Sequence, residues 1–251
     1  MITRRTLLSS AMAALAAPSR PNILFAVSDD QSFAHTAVPG FERVAQSGVR
    51  FTQATCASPG CAPSRAAILT GKYPWQLEEA GTHASLFPRK LAVYPELLEK
   101  AGYFVGLSGK GAGPCNFKDA GWPHNPAGAV KAPDFDGFLK AREKGQPFCY
   151  WYGGKEPHRP YEAGSGVRAG KKLAEITVPP FLPDSPEVRS DLADYLAEID
   201  VYDRHLSAML DSLERAGELE NTLVVTTSDN GMSFPGSKAQ MREYGIMSHW
   251  R

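Results

Sequence analysis

Four short apolar runs limit what this chain can fold into. They are Asn22-Ile23-Leu24-Phe25-Ala26-Val27-Ser28, Tyr103-Phe104-Val105-Gly106-Leu107, Phe148-Cys149-Tyr150-Trp151-Tyr152 and Leu223-Val224-Val225-Thr226-Thr227. None has the period-two alternation of a strand with one wet face, so each reads as a strand buried on both faces, as in a parallel sheet. Helical spacing fills the intervals. Residues 41–48 read as a helix stopped by Gly48, and residues 94–101 as one with Pro95 near its start and Gly102 past its end. A further helix is expected over 135–144. The longest, over 185–215, carries Leu192, Leu196, Ile199, Leu206, Met209, Leu210 and Leu213 on one stripe and ends at Gly217. Residues 49–54 read as an additional strand, and 111–133 and 157–186 as loops rich in Gly or Pro. Strand alternating with helix predicts an α/β fold: a three-layer sandwich with a mostly parallel central sheet.

A chain of 251 residues with 43% hydrophobic composition can bury a substantial core. Lys plus Arg and Asp plus Glu each number 27, for zero formal net charge. This balance points to no nucleic-acid or membrane-surface partner, so any basic site must be a local concentration. The first residues depart from the average. Thr3-Arg4-Arg5-Thr6-Leu7-Leu8 opens a modest apolar run through Ala17, followed by Pro18-Ser19-Arg20-Pro21. That is a signal peptide in outline, too short to span a bilayer well, and its paired arginines look like a twin-arginine export signal. Residues 1–20 are therefore expected to be removed, leaving a periplasmic or secreted chain with no membrane attachment. Export would permit pairing among Cys56, Cys61, Cys115 and Cys149, but four cysteines are too few for a disulfide scaffold. The absence of a CxxC pair argues against structural zinc.

The expected strand ends carry the chemistry: Asp29-Asp30, Lys110, His158 and Asp229-Asn230. Singly, each reads as a turn or cap residue. A parallel sheet gathers its strand ends on one side, which turns them into a set. Three carboxylates and an amide oxygen suit a hard divalent cation, calcium or magnesium. Lys110, His158, Arg65 and Lys238 would surround that cation with positive charge, an arrangement for sulfate or phosphate. Cys61-Ala62-Pro63-Ser64-Arg65 adds a thiol and a guanidinium ahead of an apolar run. A helix is expected after Arg65, with Ser64 near its start and the positive end of the helix beside the thiol. The same five residues also read as a simple cap and turn before a core helix.

Cys61-Ala62-Pro63-Ser64-Arg65 with Leu69-Thr70-Gly71 resembles the C-x-P-S-R…L-T-G signature of the sulfatase family, in the alkaline-phosphatase-like superfamily. The resemblance runs from residue 20 to about residue 245. Glu156-Pro157-His158-Arg159, residues 178–186 and residues 228–235 look most like the heparan N-sulfatase (sulfamidase) branch and its bacterial relatives. It implies that Cys61 is oxidised to formylglycine by a formylglycine-generating enzyme. One calcium ion would sit on Asp29, Asp30, Asp229, Asn230 and the modified Cys61. Arg65 would hold the aldehyde hydrate, while Lys110, His158 and Lys238 contact sulfate and His158 protonates the leaving group. The activity implied is hydrolysis of sulfuric esters or sulfamates on sulfated glycans, including glycosaminoglycans. Two features depart from the family pattern. Lys110-Gly111-Ala112-Gly113-Pro114 lacks the histidine that many members carry after the matching lysine. The chain also stops at Arg251, where members continue into a smaller C-terminal subdomain, so 21–251 is expected to be an incomplete N-terminal catalytic domain. A phosphatase or phosphonate hydrolase of the same superfamily, and a non-catalytic truncated homologue, are the alternatives.

Overall fold

The computed structural model describes residues 20–238. The expected signal segment up to Ser19, and residues 239–251, lie outside the described residues. Five strands form one sheet: β1 Asn22–Ser28, β2 Phe104–Gly109, β3 Val130–Lys131, β4 Phe148–Gly153 and β5 Thr222–Ser228. Their order is β3-β2-β4-β1-β5, and every pairing is parallel. In register, Leu24 stands between Tyr150 and Val224, and Val27 between Gly153 and Thr227. The chain leaves β1 for one side of the sheet, returns beside it as β4, and crosses to its other side as β5. That reversal puts a crevice at the C-terminal end of β1, where open parallel sheets bind ligands.

Six α-helices occur among the described residues: α1 Pro39–Ser47, α2 Cys61–Thr70, α3 Tyr94–Lys100, α4 Phe135–Ala141, α5 Ser165–Arg168, which packs on the next helix, and α6 Pro186–Arg215. Alternate residues of β1 point to opposite faces. Leu24 and Ala26 pack with Phe41, Phe138, Tyr202, Leu206 and Leu210, which places α1, α4 and α6 on one face. Val27 packs with Ala66, Leu69, Val93 and Trp151, which places α2 and the segment before α3 on the other. Two apolar clusters on the two faces of one sheet make the three expected layers. Burying each large aliphatic side chain in them contributes ~1.5–3 kcal/mol.

Helix α6 is 30 residues long because its start is capped and its stripe is continuous. The Ser185 hydroxyl accepts the Val188 N–H at 3.4 Å, and Pro186 occupies the first helical position. Its N-terminal half runs past the sheet, where Leu192, Tyr195 and Ile199 pack with Met232 and Phe234 from the turn after β5. This third cluster fixes that turn.

Four expectations are corrected. Residues 49–54 form no strand: Val49 is 76% and Phe51 78% exposed, and their backbone meets no neighbouring strand among the described residues. Alternating residue types do not make a strand without an edge to hydrogen-bond. The helix expected after Arg65 begins at Cys61, with Gly60 as its cap. Pro63 lies in the first turn, where a missing N–H costs nothing, so it is no barrier. The expected loops also hold short elements, β3 within 111–133 and α5 within 157–186, and the helix over 135–144 ends at Ala141.

Candidate active site at the strand ends

The C-terminal ends of β1 and β5 are stitched together. The Asp229 N–H donates to the Ser28 carbonyl at 3.1 Å, and the Asp30 N–H to Asp229 Oδ1 at 3.1 Å. Asp30 has a left-handed backbone, φ 68°, a conformation that costs a non-glycine residue ~1–2 kcal/mol. Lys110 arrives from β2. Gly109 before it also has a left-handed backbone, and a Cβ there would stand 2.0 Å from the Gly153 oxygen. Glycine therefore allows β2 and β4 to close up and the Lys110 ammonium to reach Asp29 Oδ2 at 2.5 Å. Cys61 is the first residue of α2, so the helix's positive end faces the acids.

The expected site residues converge. Cys61 Sγ lies 3.2 Å from Asp29 Oδ1 and 3.7 Å from Asp30 Oδ1. Arg65 is completely buried; its Nε donates to Asp229 Oδ2 at 2.8 Å and its Nη1 to the Lys110 carbonyl at 2.7 Å. Lys238 Nζ donates to Asp30 Oδ1 at 2.6 Å and lies 3.4 Å from Cys61 Sγ. Asn230 Nδ2 donates to the same Asp30 oxygen at 2.6 Å. His158 is the outlier: its imidazole is 43% exposed and its Nε2 stands 3.9 Å from Asp30 Oδ2. It sits at the mouth of a cleft of about 400 Å³ lined by Asp29, Lys110, Lys155, Glu156 and Glu198.

Electrostatics sort these groups. Burial, and then Asp229, Asp29 and Asp30, push the Cys61 thiol up to about 12. An unmodified thiol here stays protonated at neutral pH and is a poor nucleophile. Burial and Asp229 raise the Asp29 carboxyl. Asp229 is held below its ordinary value: burial opposes ionisation, but Arg65 and Lys110 outweigh it. Burial also opposes the Lys238 charge, yet Asp30 and Cys61 carry its pKa above the usual value.

The residues fit a hard divalent cation. One ligand atom each from Asp29, Asp30, Cys61 and Asp229 lie within 4.8 Å of one another, and all four residues are buried. Two buried acceptors in the cluster, Asp30 Oδ2 and Asn230 Oδ1, have no hydrogen-bond donor. Such orphans are rare in a folded interior, and carboxylate and amide oxygens are the ligands calcium takes.

One neighbour escaped the sequence reading. His83 lies in a loop strapped to the segment after Lys110 by Ala84 N–H to Pro114 O (3.2 Å) and Asn116 N–H to Ser85 O (2.8 Å). Burial, and then Lys238, Lys110 and His158, hold its imidazole below the ordinary value. No local motif marks it, because only the loop's fold brings it near. All four cysteines are free, so the pairing that export would permit is not present in this structure.

A family model described as Sulfatase matches residues 21–121 and 124–249. Among curated proteins, an ulvan-active sulfatase of Formosa agariphila is 26% identical over 285 residues, covering 91% of this chain and 46% of the relative. Human N-sulphoglucosamine sulphohydrolase is 27% identical over 267 residues, covering 89% and 53%. The chain thus spans about half the length of these relatives. A protein solved in complex with its substrate D-glucosamine-2-N,6-O-disulfate superposes with a TM-score of 0.58 at 22% identity, over 84% of this chain and 66% of that one. A phosphonate monoester hydrolase of Silicibacter pomeroyi superposes with a TM-score of 0.62 at 18% identity, over 91% and 66%. At such identities these two likenesses show the fold, which is the expected α/β architecture.

Proposed function

The chain belongs to the sulfatase family, and from that premise we propose that it forms the catalytic part of a calcium-dependent, formylglycine-bearing hydrolase of sulfate esters or sulfamates on sulfated glycans. The observation that carries this reading is Cys61 at the positive end of α2, buried among Asp29, Asp30 and Asp229 with Lys238 and Arg65 against them. A thiol that attacked sulfur would keep no second hydroxyl with which to expel sulfate, whereas the hydrated aldehyde of the modified side chain carries one.

Formylglycine at position 61, made by a formylglycine-generating enzyme, would supply a hydrated aldehyde with one hydroxyl to attack sulfur and another to release sulfate as the aldehyde reforms. Calcium on Asp29, Asp30, Asp229 and Asn230 would supply Lewis acidity toward the nucleophile and a sulfate oxygen. The chain's own groups do the rest. Arg65 is locked by Asp229 and the Lys110 carbonyl, and one turn along α2 from residue 61 it would hold the aldehyde hydrate. Lys110 and Lys238, now on Asp29 and Asp30, would offset the charge that accumulates on the sulfate oxygens in the transition state. His158, at the cleft mouth, donates a proton to the departing amine or alcohol.

Two relatives support a glycan substrate: the human N-sulphoglucosamine sulphohydrolase and an N-acetylglucosamine-6-O-sulfatase of Bacteroides thetaiotaomicron. The paired arginines at residues 4 and 5 support export by the twin-arginine route. No helix among the described residues is long and apolar enough to cross a membrane. The test is hydrolysis of an aryl sulfate against the matching aryl phosphate by the chain co-expressed with a formylglycine-generating enzyme. The expected result is preference for sulfate, with Cys61→Ala slower by at least ~10³-fold. Preference for phosphate, or a Cys61→Ala variant equal to the parent, contradicts the reading.

A further inference from the structure

We propose that Arg159 is a positioning residue that locks the loop bearing His158 to the turn bearing Lys238, so that both side chains are kept beside Asp30 together. The inference rests on the function proposed above. His158 and Lys238 approach Asp30 from separate segments, one following β4 and the other following β5. His158 Nε2 lies 3.9 Å from Asp30 Oδ2, and Lys238 Nζ 2.6 Å from Asp30 Oδ1. Neither segment is part of the sheet at that point, so strand pairing cannot fix their spacing.

The Arg159 guanidinium joins them. Its Nε donates to the Ser233 carbonyl at 3.0 Å, across to the turn. Its Nη1 donates to Asp191 Oδ1 at 2.9 Å and its Nη2 to Asp191 Oδ2, a two-pronged grip on α6. Its flat face lies between two rings, 4.5 Å from Tyr161 and 4.6 Å from Phe234. Phe234 is buried against Tyr195 of α6. From there the path to Lys238 is short: the Lys238 N–H donates to the Met232 carbonyl at 3.0 Å, and the Ser237 N–H to the Phe234 carbonyl at 3.1 Å. On the other side the Arg159 carbonyl lies 2.5 Å from His158 Nδ1. One side chain thus gathers the His158 loop, the Lys238 turn and α6. Only a planar fork with five N–H groups makes all three contacts; an ammonium matches the charge but not the geometry.

A side chain that merely holds the fold together would give a different pattern of losses. Arg159 and Asp191 are 36% and 38% exposed, and an ion pair that wet contributes little to stability. Its effect should therefore appear in anion binding and vanish when Lys238 and His158 are both gone. The test is calorimetric binding of inorganic sulfate to the Cys61→Ala chain with calcium, which needs no turnover. Inorganic phosphate serves as the second probe. Arg159→Ala is expected to weaken sulfate binding about tenfold, and Arg159→Lys by nearly as much, with midpoints of thermal unfolding within about 2 °C of the parent. Asp191→Asn should fall between the parent and Arg159→Ala. In a Lys238→Met, His158→Ala background the further effect of Arg159→Ala should shrink to less than about twofold, because both groups it positions are then absent. Equal losses in both backgrounds, or full affinity in Arg159→Lys, overturn the proposal and leave the sulfatase reading standing. A parent that binds phosphate but not sulfate sinks the sulfatase reading alone. Binding of neither anion sinks both.

Discussion

The two ends of the sheet carry polar networks of similar make-up and opposite completeness. At the N-terminal end, Glu218 accepts from Asn22 Nδ2 at 2.8 Å and from both terminal nitrogens of Arg142, while Asn22 Oδ1 accepts the Phe148 N–H at 3.2 Å. The Arg142 guanidinium also covers the Phe148 ring at 5.1 Å. Both oxygens of the single acid are occupied, and only Arg142 Nε lacks a partner. At the C-terminal end, Asp29, Asp30 and Asp229 crowd around Cys61 and leave Asp30 Oδ2 and Asn230 Oδ1 without donors. A network that closes on itself stabilises strand ends. A network with inward acceptors left over is built for something the chain does not itself contain.

The largest effect should come from the open end. Asp30→Asn removes a charged ligand from the buried set, and calcium affinity measured by calorimetry should fall on the order of a thousandfold, ~4 kcal/mol. Unchanged affinity would erase the distinction between the two ends. Next comes the closed end. Arg142→Met strands the Glu218 carboxylate, and denaturant unfolding should show a loss of about 3 kcal/mol with calcium affinity intact. If both stability and calcium affinity dropped, the two networks would be one system. The smallest effect concerns pH. The hydrogen bond from Arg142 lowers the Glu218 carboxyl from its ordinary 4.5. A depressed acid contributes stability that is fully present above its unfolded value and is lost as pH falls through the folded one. Stability should therefore decline below about pH 4.5 more steeply in the parent than in Glu218→Gln. Parallel declines would remove Glu218 from the account.

The open end was largely legible in the sequence because a parallel sheet turns order into place, whereas the Asn22, Arg142 and Glu218 network of the closed end was not read from it. Asp29, Asp30, Asp229 and Asn230 follow β1 and β5 directly, so identifying those strands was enough to bring the four residues together. Lys110 follows β2 in the same way. Arg65 entered as one of the basic groups around the expected ion, but its complete burial and its grip on Asp229 depend on where α2 packs. The helix starts several residues earlier than expected, at Cys61, because Pro63 occupies its first turn and interrupts no hydrogen bond. The strand expected at 49–54 failed for a different reason: residue type proposes a strand, but only a neighbouring edge completes it. His83 and the partners of Arg159 lay beyond sequence reasoning. Loops from non-adjacent parts of the chain bring them in, and neither their spacing nor their composition records those contacts.

The open end has one defining residue, and its chemistry can be weighed directly. The peptide containing Cys61 should be isolated from the chain co-expressed with a formylglycine-generating enzyme and its mass measured. The account predicts a mass lower by the difference between a CH₂SH and a CHO side chain, and a product that reacts with a carbonyl-specific hydrazide. A peptide that keeps its thiol under those conditions, and alkylates as cysteine, would contradict it.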